Sequence, residues 1–214
     1  MVLETMPARR GLIGRRLFMA GCSFAAVALA GVSTRANTVI GKANDIRGKV
    51  DRKQAELQEG LAAGGSILDN DTVLTGAESF ADLQLGGDTR ILLGSETELL
   101  VDSFIAGQGG TLELGMGQMV FDRPEGLPKI DLALRTTFGM IGVRGTKFFC
   151  GHNRGVFAVF VEHGLVSVDG GGVTKMVAAG QGVDIANPGD APKDPVVWGA
   201  ARIAEAYASV GIRP

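Results

Sequence analysis

The sequence predicts an all-β fold, a sandwich or a solenoid-like stack of many short, mainly antiparallel strands, followed by a short C-terminal helix. Three observations support this prediction. Short apolar segments recur about every 8 to 12 residues between Val39 and Ile185, and Gly, Asp and Asn separate them. Several segments alternate apolar with polar residues, as in residues 80–85. Glycine supplies 33 of the 214 residues without a three-residue period, which indicates turns rather than a collagen-like chain.

Residues 1–36 have the features of an export signal and not of a folded element. Basic residues precede a mildly apolar, alanine-rich run over residues 17–32, and small residues permit cleavage after Ala30 or Ala36. The pair Arg15-Arg16, followed by Leu-Phe-Met, resembles a twin-arginine signal, which directs a folded protein to export. The alternatives are an ordinary secretory signal, an uncleaved membrane anchor and a lipidated cysteine. The sequence therefore predicts a periplasmic protein, which stays anchored to the membrane if the signal is not cleaved.

The charge distribution argues against nucleic acid and anionic lipid as partners. The chain has 21 basic and 23 acidic residues, a net charge of −2. Residues 1–36 contain five of the basic residues and one of the acidic residues, so the remainder carries a net charge of −6. A body of this charge has no basic footprint for a polyanion.

The strand candidates all lie within residues 37–186, which we predict to be one β domain. In chain order they are TVIGKANDI, GKVDRK, SILDNDTVLT, FADLQLG, TRILLG, TELLVD, GTLELGMGQMVF, IDLALRTTFGMIGV, TKFFC, GVFAVFVEHGLVSVDG, VTKMVAAG and QGVDIA. Residues 86–88 and 168–171 are predicted to form tight hairpin turns, because Gly, Asn and Asp tolerate positive φ. The segment QAELQEGLAAGG fits either a helical turn or a loop.

After Ile185 the sequence predicts a linker and then a helix. Residues 187–195 are rich in Pro and Asp, which is typical of a linker. Residues 196–214 place apolar side chains on one side of a helix and charged ones on the other. The apolar side consists of Val197, Ala200, Ala201, Ala204, Tyr207 and Ala208. Packing on the β domain explains this helix, but Trp198 falls on its polar side and is a candidate contact with a partner.

Patterns for catalysis or metal binding are sparse. The two histidines, His152 and His163, belong to no nucleophile or metal-ligand motif. Cys150 and His152 would share a face of a strand, so a small-ligand sensor or thiol-dependent enzyme is the alternative function. A cysteine after two phenylalanines is otherwise a buried core residue. Residues 69–71 (Asp-Asn-Asp) offer oxygen ligands for Ca²⁺, but an Asx-type turn explains them without a metal. The sequence therefore indicates no enzyme, no metal and no cofactor.

The order of several motifs resembles the FecR-type extracytoplasmic domain. The motifs are Thr75-Gly76 followed by Ala81, Val143-Arg144-Gly145-Thr146, Glu162-His163-Gly164 before a valine-rich strand, and Ala179-Gly180-Gln181. The match runs through residues 39–186. The resemblance implies an all-β, non-catalytic periplasmic module, and some members relay iron-siderophore signals from the outer membrane to a sigma factor. It therefore predicts a binding or scaffold module that senses or signals through an unidentified protein or an envelope polymer.

The sequence departs from the signalling members of that family. Those members carry a cytoplasmic anti-sigma segment before a membrane helix, and some carry a further domain that meets the receptor. Only about 14 residues precede the apolar run of this chain, too few to fold around a sigma factor. We therefore expect this chain to share the β module of the family and not its regulation of a sigma factor.

Arg144 is unusual because it lies in an otherwise apolar stretch, beside Gly145 and Thr146. We predict that these three residues form a structural motif. In it, the Arg144 guanidinium binds carbonyl oxygens freed at glycine bends, or a carboxylate such as that of Asp82 or Glu162. The alternative places Arg144 on an open surface, where it would bind an anionic partner.

Overall fold

The computed structural model of the chain describes residues 38–212. The export signal that we predict for residues 1–36 lies outside the described residues. Within residues 38–212 the elements are β1 Val39–Arg47, β2 Val50–Gln54, β3 Leu57–Gly60, β4 Ser66–Leu68, β5 Thr72–Thr75, β6 Phe80–Leu85, β7 Thr89–Leu93, β8 Glu98–Ile105, β9 Gly109–Met116, β10 Gln118–Asp122, β11 Asp131–Thr136, β12 Gly139–Val143, β13 Lys147–Asn153, β14 Val156–His163, β15 Leu165–Gly170, β16 Val173–Ala178, β17 Gln181–Ile185, β18 Val196–Val197 and α1 Ala200–Ala208. The predicted all-β fold with a short C-terminal helix is confirmed.

The strands form two sheets of nine strands each. Sheet A has the order β18-β17-β14-β13-β10-β7-β6-β1-β4, and sheet B has the order β16-β15-β12-β11-β9-β8-β5-β2-β3. Among the strands described, only β9 and β11 pair in parallel. The strand β10, which lies between them in the sequence, belongs to sheet A. The chain therefore returns to sheet B as β11, which runs in the same direction as β9.

Hairpins alternate between the two sheets along most of the chain, apart from β8–β9 and β11–β12, which follow one another in sheet B. The hairpins β6–β7 and β13–β14 belong to sheet A, whereas β8–β9 and β15–β16 belong to sheet B. The β15–β16 turn consists of Gly171 and Gly172, whose φ angles of 54° and 77° are those of a type I′ turn. This turn lies slightly later than residues 168–171, where we predicted it. The sandwich is therefore built from one end to the other in nearly the order of the sequence.

The inner faces of the two sheets form the main core. In β6, Ala81, Leu83 and Leu85 are buried and the residues between them are only partly buried, as the alternating pattern predicts. Burial of one aliphatic or aromatic side chain stabilises the fold by about 1.5–3 kcal/mol. The one cysteine of the described residues, Cys150, lies in this core as a free thiol. Stability of this part of the chain therefore comes from packing.

A second apolar cluster lies on the outer face of sheet A. Residues 157–161 of β14 are all buried. Their inner-face side chains meet the main core, and their outer-face side chains meet residues 196–212, which we call the C-terminal segment. The cluster contains Leu92, Val120, Phe149, Ala158, Phe160, Trp198, Ala206, Tyr207 and Val210. Arg154 donates Nε and Nη2 hydrogens to the two carboxylate oxygens of Glu205 at 2.6 and 2.7 Å, which links α1 to the β13–β14 hairpin.

The C-terminal segment begins differently from the predicted helix over residues 196–214. Val196 and Val197 form β18 and pair with β17, and α1 begins at Ala200. The assignment of Val197 to the apolar side of the helix is wrong, because its side chain is 79% exposed. β-branched valines suit an extended chain, and the edge of β17 offers them a pairing partner. No helix within residues 38–212 is long and apolar enough to cross a membrane.

Trp198 is buried beneath the start of α1, with 5% of its surface exposed. Its ring stacks on Phe160, with 5.0 Å between the ring centroids, and the guanidinium carbon of Arg202 lies 3.8 Å from the tryptophan ring centre. Trp198 therefore does not lie on the exposed polar side that the helical pattern gives it, and its contact with a partner stays a prediction. The physical reason is the extended backbone before α1, which turns the ring toward the sheet instead of the side that a helical projection gives.

Candidate protein-interaction surface

The outer faces of the two sheets differ in how they are covered. The C-terminal segment packs on sheet A over the second apolar cluster, whereas large apolar side chains are exposed on the outer face of sheet B. They include Ile105, Met140, Leu165 and Met176, whereas the exposed large apolar residues of the sheet A strands are Val39 at the start of β1 and the edge-strand residues Val196 and Val197. Exposed apolar side chains gathered on one face are typical of interaction sites. The outer face of sheet B is therefore the candidate functional surface.

A groove of about 800 Å³ crosses this face at right angles to the strands. Strand pairing places Ala133 of β11 opposite Gly142 of β12, Gly142 opposite Ser167 of β15, and Ser167 opposite Met176 of β16. We call this feature the cross-strand groove and Ala133, Gly142 and Ser167 its floor. A Cβ at position 142 would lie 2.5 Å from Ser167 Oγ, so the space above the floor depends on the absence of a side chain at Gly142.

Charged residues form one rim of the cross-strand groove. Arg144, just after β12, forms an ion pair with Asp131 of β11, with 3.1 Å between Nε and Oδ1. The two side chains are 71% and 83% exposed. Lys129 also lines the groove and is exposed, and no ion pair within residues 38–212 includes it. The rim therefore carries two cations and one anion.

The exposure of Arg144 contradicts the predicted clamp. Its carboxylate partner is Asp131 and neither Asp82 nor Glu162, and its guanidinium lies in solvent. Asp82 binds Arg90, and Glu162 binds Lys147. The alternative reading, in which Arg144 lies on an open surface, describes its position correctly.

Arg123 has the environment that we predicted for Arg144. It is 1% exposed, and its Nε and Nη2 hydrogens point to the main-chain oxygen of Pro128 at 3.2 and 3.0 Å. Its Nη1 hydrogen bonds to Thr89 Oγ1 at 3.2 Å. The guanidinium therefore satisfies the carbonyl of a loop residue that belongs to neither sheet. Sequence reasoning missed this residue, although two prolines in the following six positions signal a loop with unpaired carbonyl groups.

Gly145 and Thr146 connect the groove to the core. Gly145 has a φ of 65°, a left-handed conformation that glycine adopts without strain. The chain then turns inward, and Thr146 is fully buried. The main-chain oxygen of Thr146 accepts a hydrogen bond from Arg123 N–H at 3.1 Å. These two residues therefore mark the point where the chain leaves the rim of sheet B and enters sheet A.

Cys150 and His152 do not form a thiol site. Cys150 is fully buried in the main core, and burial raises the pKa of its thiol far above the ordinary value. His152 is exposed, and its ring meets the edge of Phe138 with 5.5 Å between centroids. The thiol therefore stays protonated and out of contact with solvent at neutral pH.

Residues 69–71 form a turn between β4 and β5. The main-chain N–H of Leu68 donates a 2.7 Å hydrogen bond to Asp71 Oδ2, and Asn70 adopts a φ of 65°. Burial raises the pKa of Asp71, and Arg52, whose Nη1 lies 3.6 Å from Oδ2, offsets part of that effect. No group of three or more His, Cys, Asp or Glu side chains in the part of the chain that the structure describes is arranged to hold a metal ion.

A charged network holds α1 against sheet A. Lys147 Nζ lies 3.2 Å from Glu162 Oε1 and 3.7 Å from Asp122 Oδ2. The Tyr207 hydroxyl donates a hydrogen bond to Glu162 Oε2. Burial, with the neighbouring Glu162, raises the pKa of Tyr207. Because each of these groups has a partner, we interpret the network as part of helix docking.

Comparison with known proteins finds a family-model match in the central part of the chain. Residues 71–167 match the family model described as "FecR protein". These residues extend from the end of the β4–β5 turn into β15, so they include Arg123, the charged rim and the groove floor. No curated protein matches the chain in sequence.

Solved structures share the fold. Two crystal structures of a candidate anti-sigma factor from Parabacteroides distasonis, at 1.65 and 2.50 Å resolution, each align with a TM-score of 0.51 and 18% sequence identity. Each alignment covers 62% of this chain and 62% of the other, so this chain spans about three fifths of the length of that protein. At this identity the likeness is one of fold.

Proposed function

We propose that this chain, whose residues 71–167 form a FecR domain, is a non-catalytic regulatory module of the cell envelope that binds a protein partner through the outer face of sheet B. The observation that carries the proposal is the contrast between the two sheets. The outer face of sheet A is packed against α1, whereas that of sheet B presents a groove, exposed apolar side chains and a charged rim. A surface of this composition suits a protein partner. The likeness in fold to a candidate anti-sigma factor supports a role in signalling.

The cellular location within this proposal is the periplasm. Its support is the sequence of residues 1–36, with Arg15-Arg16 ahead of an apolar run. The domain organisation is a cleaved signal over residues 1–36, a β domain over residues 37–186, a linker over residues 187–195 and the C-terminal segment. Replacing Arg15 and Arg16 by lysine should retain precursor in the cytoplasm. Normal export of the original chain by a host that lacks the twin-arginine route would leave only the secretory route.

Site-directed crosslinking tests the binding face. A photoreactive amino acid replaces Met176 on sheet B in one variant and Lys42 on the outer face of sheet A in a matched control, each in the full chain in living cells. We expect discrete crosslinked products at position 176, with the same partner by mass spectrometry in repeat experiments, and none at position 42. Crosslinks that are equal at both positions, or confined to position 42, would contradict the assignment of this face.

A further inference from the structure

We infer that the cross-strand groove binds a short extended segment of a partner protein that combines apolar side chains with a carboxylate, and that the carboxylate binds between Lys129 and Arg144. This inference rests on the proposed function and specifies the partner. It concerns only the groove of sheet B, its floor and its charged rim.

The charge of the rim selects an anion. Asp131 balances one of the two cations, so a single positive charge remains at this end of the groove. The chain as a whole carries a net charge of −2, so the positive charge of this rim is opposite in sign to that of the chain. Arginine has five N–H donors in a planar fork, and the contact with Asp131 engages Nε. The Arg144 side chain is 71% exposed and Lys129 lines the same groove, so hydrogens of both groups are available to a carboxylate.

The walls of the groove select apolar side chains. Leu165 and Met176 are both about half exposed and flank the floor. Methionine is flexible and polarisable, so it packs against side chains of varied shape. The floor has only Ala, Gly and Ser, which lets the main chain of an occupant approach the sheet closely.

The dimensions of the groove select an extended chain of a few residues. Its floor and Met176 span four adjacent strands, or about 14 Å at about 4.8 Å per strand spacing. An extended chain covers that distance in four to five residues at about 3.3 Å each. A volume of about 800 Å³ has room for several side chains.

A random nonapeptide display library provides the probe. The full chain is compared with a charge-reversed variant, Lys129→Glu with Arg144→Glu, and with a control of the same charge change on sheet A, Lys42→Glu with Arg47→Glu. The original chain and the control should enrich peptides that carry Asp or Glu next to aliphatic residues. The charge-reversed variant should enrich Lys or Arg at the same place. By fluorescence anisotropy, peptides selected on the original chain should bind the reversed variant roughly tenfold more weakly, as expected for loss of two exposed ion pairs.

A second variant tests the groove itself. Ser167→Leu adds a large side chain to the floor at the surface, so it should abolish binding of the selected peptides and leave thermal unfolding unchanged. Peptides without acidic residues, or peptides that bind the charge-reversed or Ser167→Leu chains as tightly as the original, would overturn the inference. Self-association that Ser167→Leu abolishes and the peptides do not displace would overturn it too, because a second copy would then occupy the groove.

The outcomes separate this inference from the proposed function. Crosslinks at position 176 that persist in the Lys129→Glu, Arg144→Glu chain would keep sheet B as the binding face and reject the carboxylate. Failure of crosslinking at position 176, together with selected acidic peptides that bind the original chain and not the charge-reversed variant, would reject the partner protein in cells and retain only the preference of the groove for acidic peptides in vitro.

Discussion

Arg123 donates two hydrogen bonds to one main-chain oxygen, that of Pro128, from Nε at 3.2 Å and from Nη2 at 3.0 Å. The loop between these residues carries the chain from sheet A to sheet B and ends at Lys129, on the rim of the groove. A buried arginine therefore anchors the residue that immediately precedes an exposed lysine. The buried, carbonyl-binding environment that we expected for Arg144 belongs instead to Arg123, 21 positions earlier in the sequence.

Arg123→Met should lower the free energy of unfolding by about 1 to 3 kcal/mol, because it leaves the Pro128 oxygen and the Thr89 hydroxyl without their buried donor. Methionine keeps most of the side-chain volume, so the change isolates the hydrogen bonds. Urea unfolding of the full chain measures the effect. A variant as stable as the original chain would show that water replaces the guanidinium.

Arg144→Met is the matched control and should change the free energy of unfolding by less than about 0.5 kcal/mol, because exposed ion pairs contribute little. The same variant should weaken binding of acidic peptides to the groove. Thermal unfolding and anisotropy on one preparation give both quantities. A fall of several degrees in melting temperature would instead restore the clamp at this position.

Cys150 should react with a thiol reagent only after unfolding. The test uses a Cys22→Ser chain, so that Cys150 is the remaining cysteine. Cys150→Ala should lower the free energy of unfolding by roughly 1 kcal/mol through lost packing. Cys150→Ser should cost more, because it places a hydroxyl in the apolar core at an expense of about 1–3 kcal/mol. Rapid labelling of the native chain would contradict the burial of this thiol.

Asp71 should make stability depend on pH. Burial raises its folded-state pKa above the ordinary value of 3.8, so the folded protein keeps a proton that the unfolded chain loses. The free energy of unfolding should therefore fall as pH rises from about 3.8 through the raised pKa, and the loss is complete above it. Asp71→Asn keeps an oxygen for the Leu68 N–H and lacks this titration. The stability of Asp71→Asn relative to the original chain should rise over that pH window, and a difference that falls with pH would refute the assignment.

Trp198→Ala should lower the free energy of unfolding by about 3 kcal/mol or more, because it empties the space between Phe160 and α1. Trp198→Phe should cost less than about 1.5 kcal/mol, since the indole Nε1 of Trp198 has no hydrogen-bond partner within residues 38–212. Trp198 is the chain's one tryptophan, so its fluorescence reports on docking of the C-terminal segment. Unchanged stability of Trp198→Ala with lost partner binding would support a contact role after all.

Local patterns predicted the strands because burial alternates along them. The period of two in residues 80–85 corresponds directly to the core side of β6. The unbroken apolar run over residues 157–161 indicates a strand covered on both faces, and α1 supplies the second cover. Glycine pairs located the hairpin turns to within a few residues, since positive φ at two successive positions has few other solutions.

Strand pairing and the paths of the loops determine the features that local sequence patterns did not predict. The floor of the groove joins positions 133, 142 and 167, whose spacing follows only from the registers of β11 with β12 and β12 with β15. Arg123 and Arg144 both follow the end of a strand, and only the path of the next loop decides which of them is buried. A helical projection likewise misplaced Val197 and Trp198, because pairing with β17 holds the chain extended there.

The alternation of hairpins between the sheets gives the sandwich a nearly linear architecture. Each strand pairs mainly with strands that are close to it in the sequence, so interactions resemble those between neighbouring repeats of a solenoid. Local opening can then start at either end, at β2–β3 or at β16 and β18, without loss of the middle. The groove lies on β11, β12, β15 and β16, so it belongs to the end of the sandwich that the C-terminal half of the sequence forms. Occupation of the groove would tie four strands of that end together, so a bound partner would act as a terminal cap for the fold.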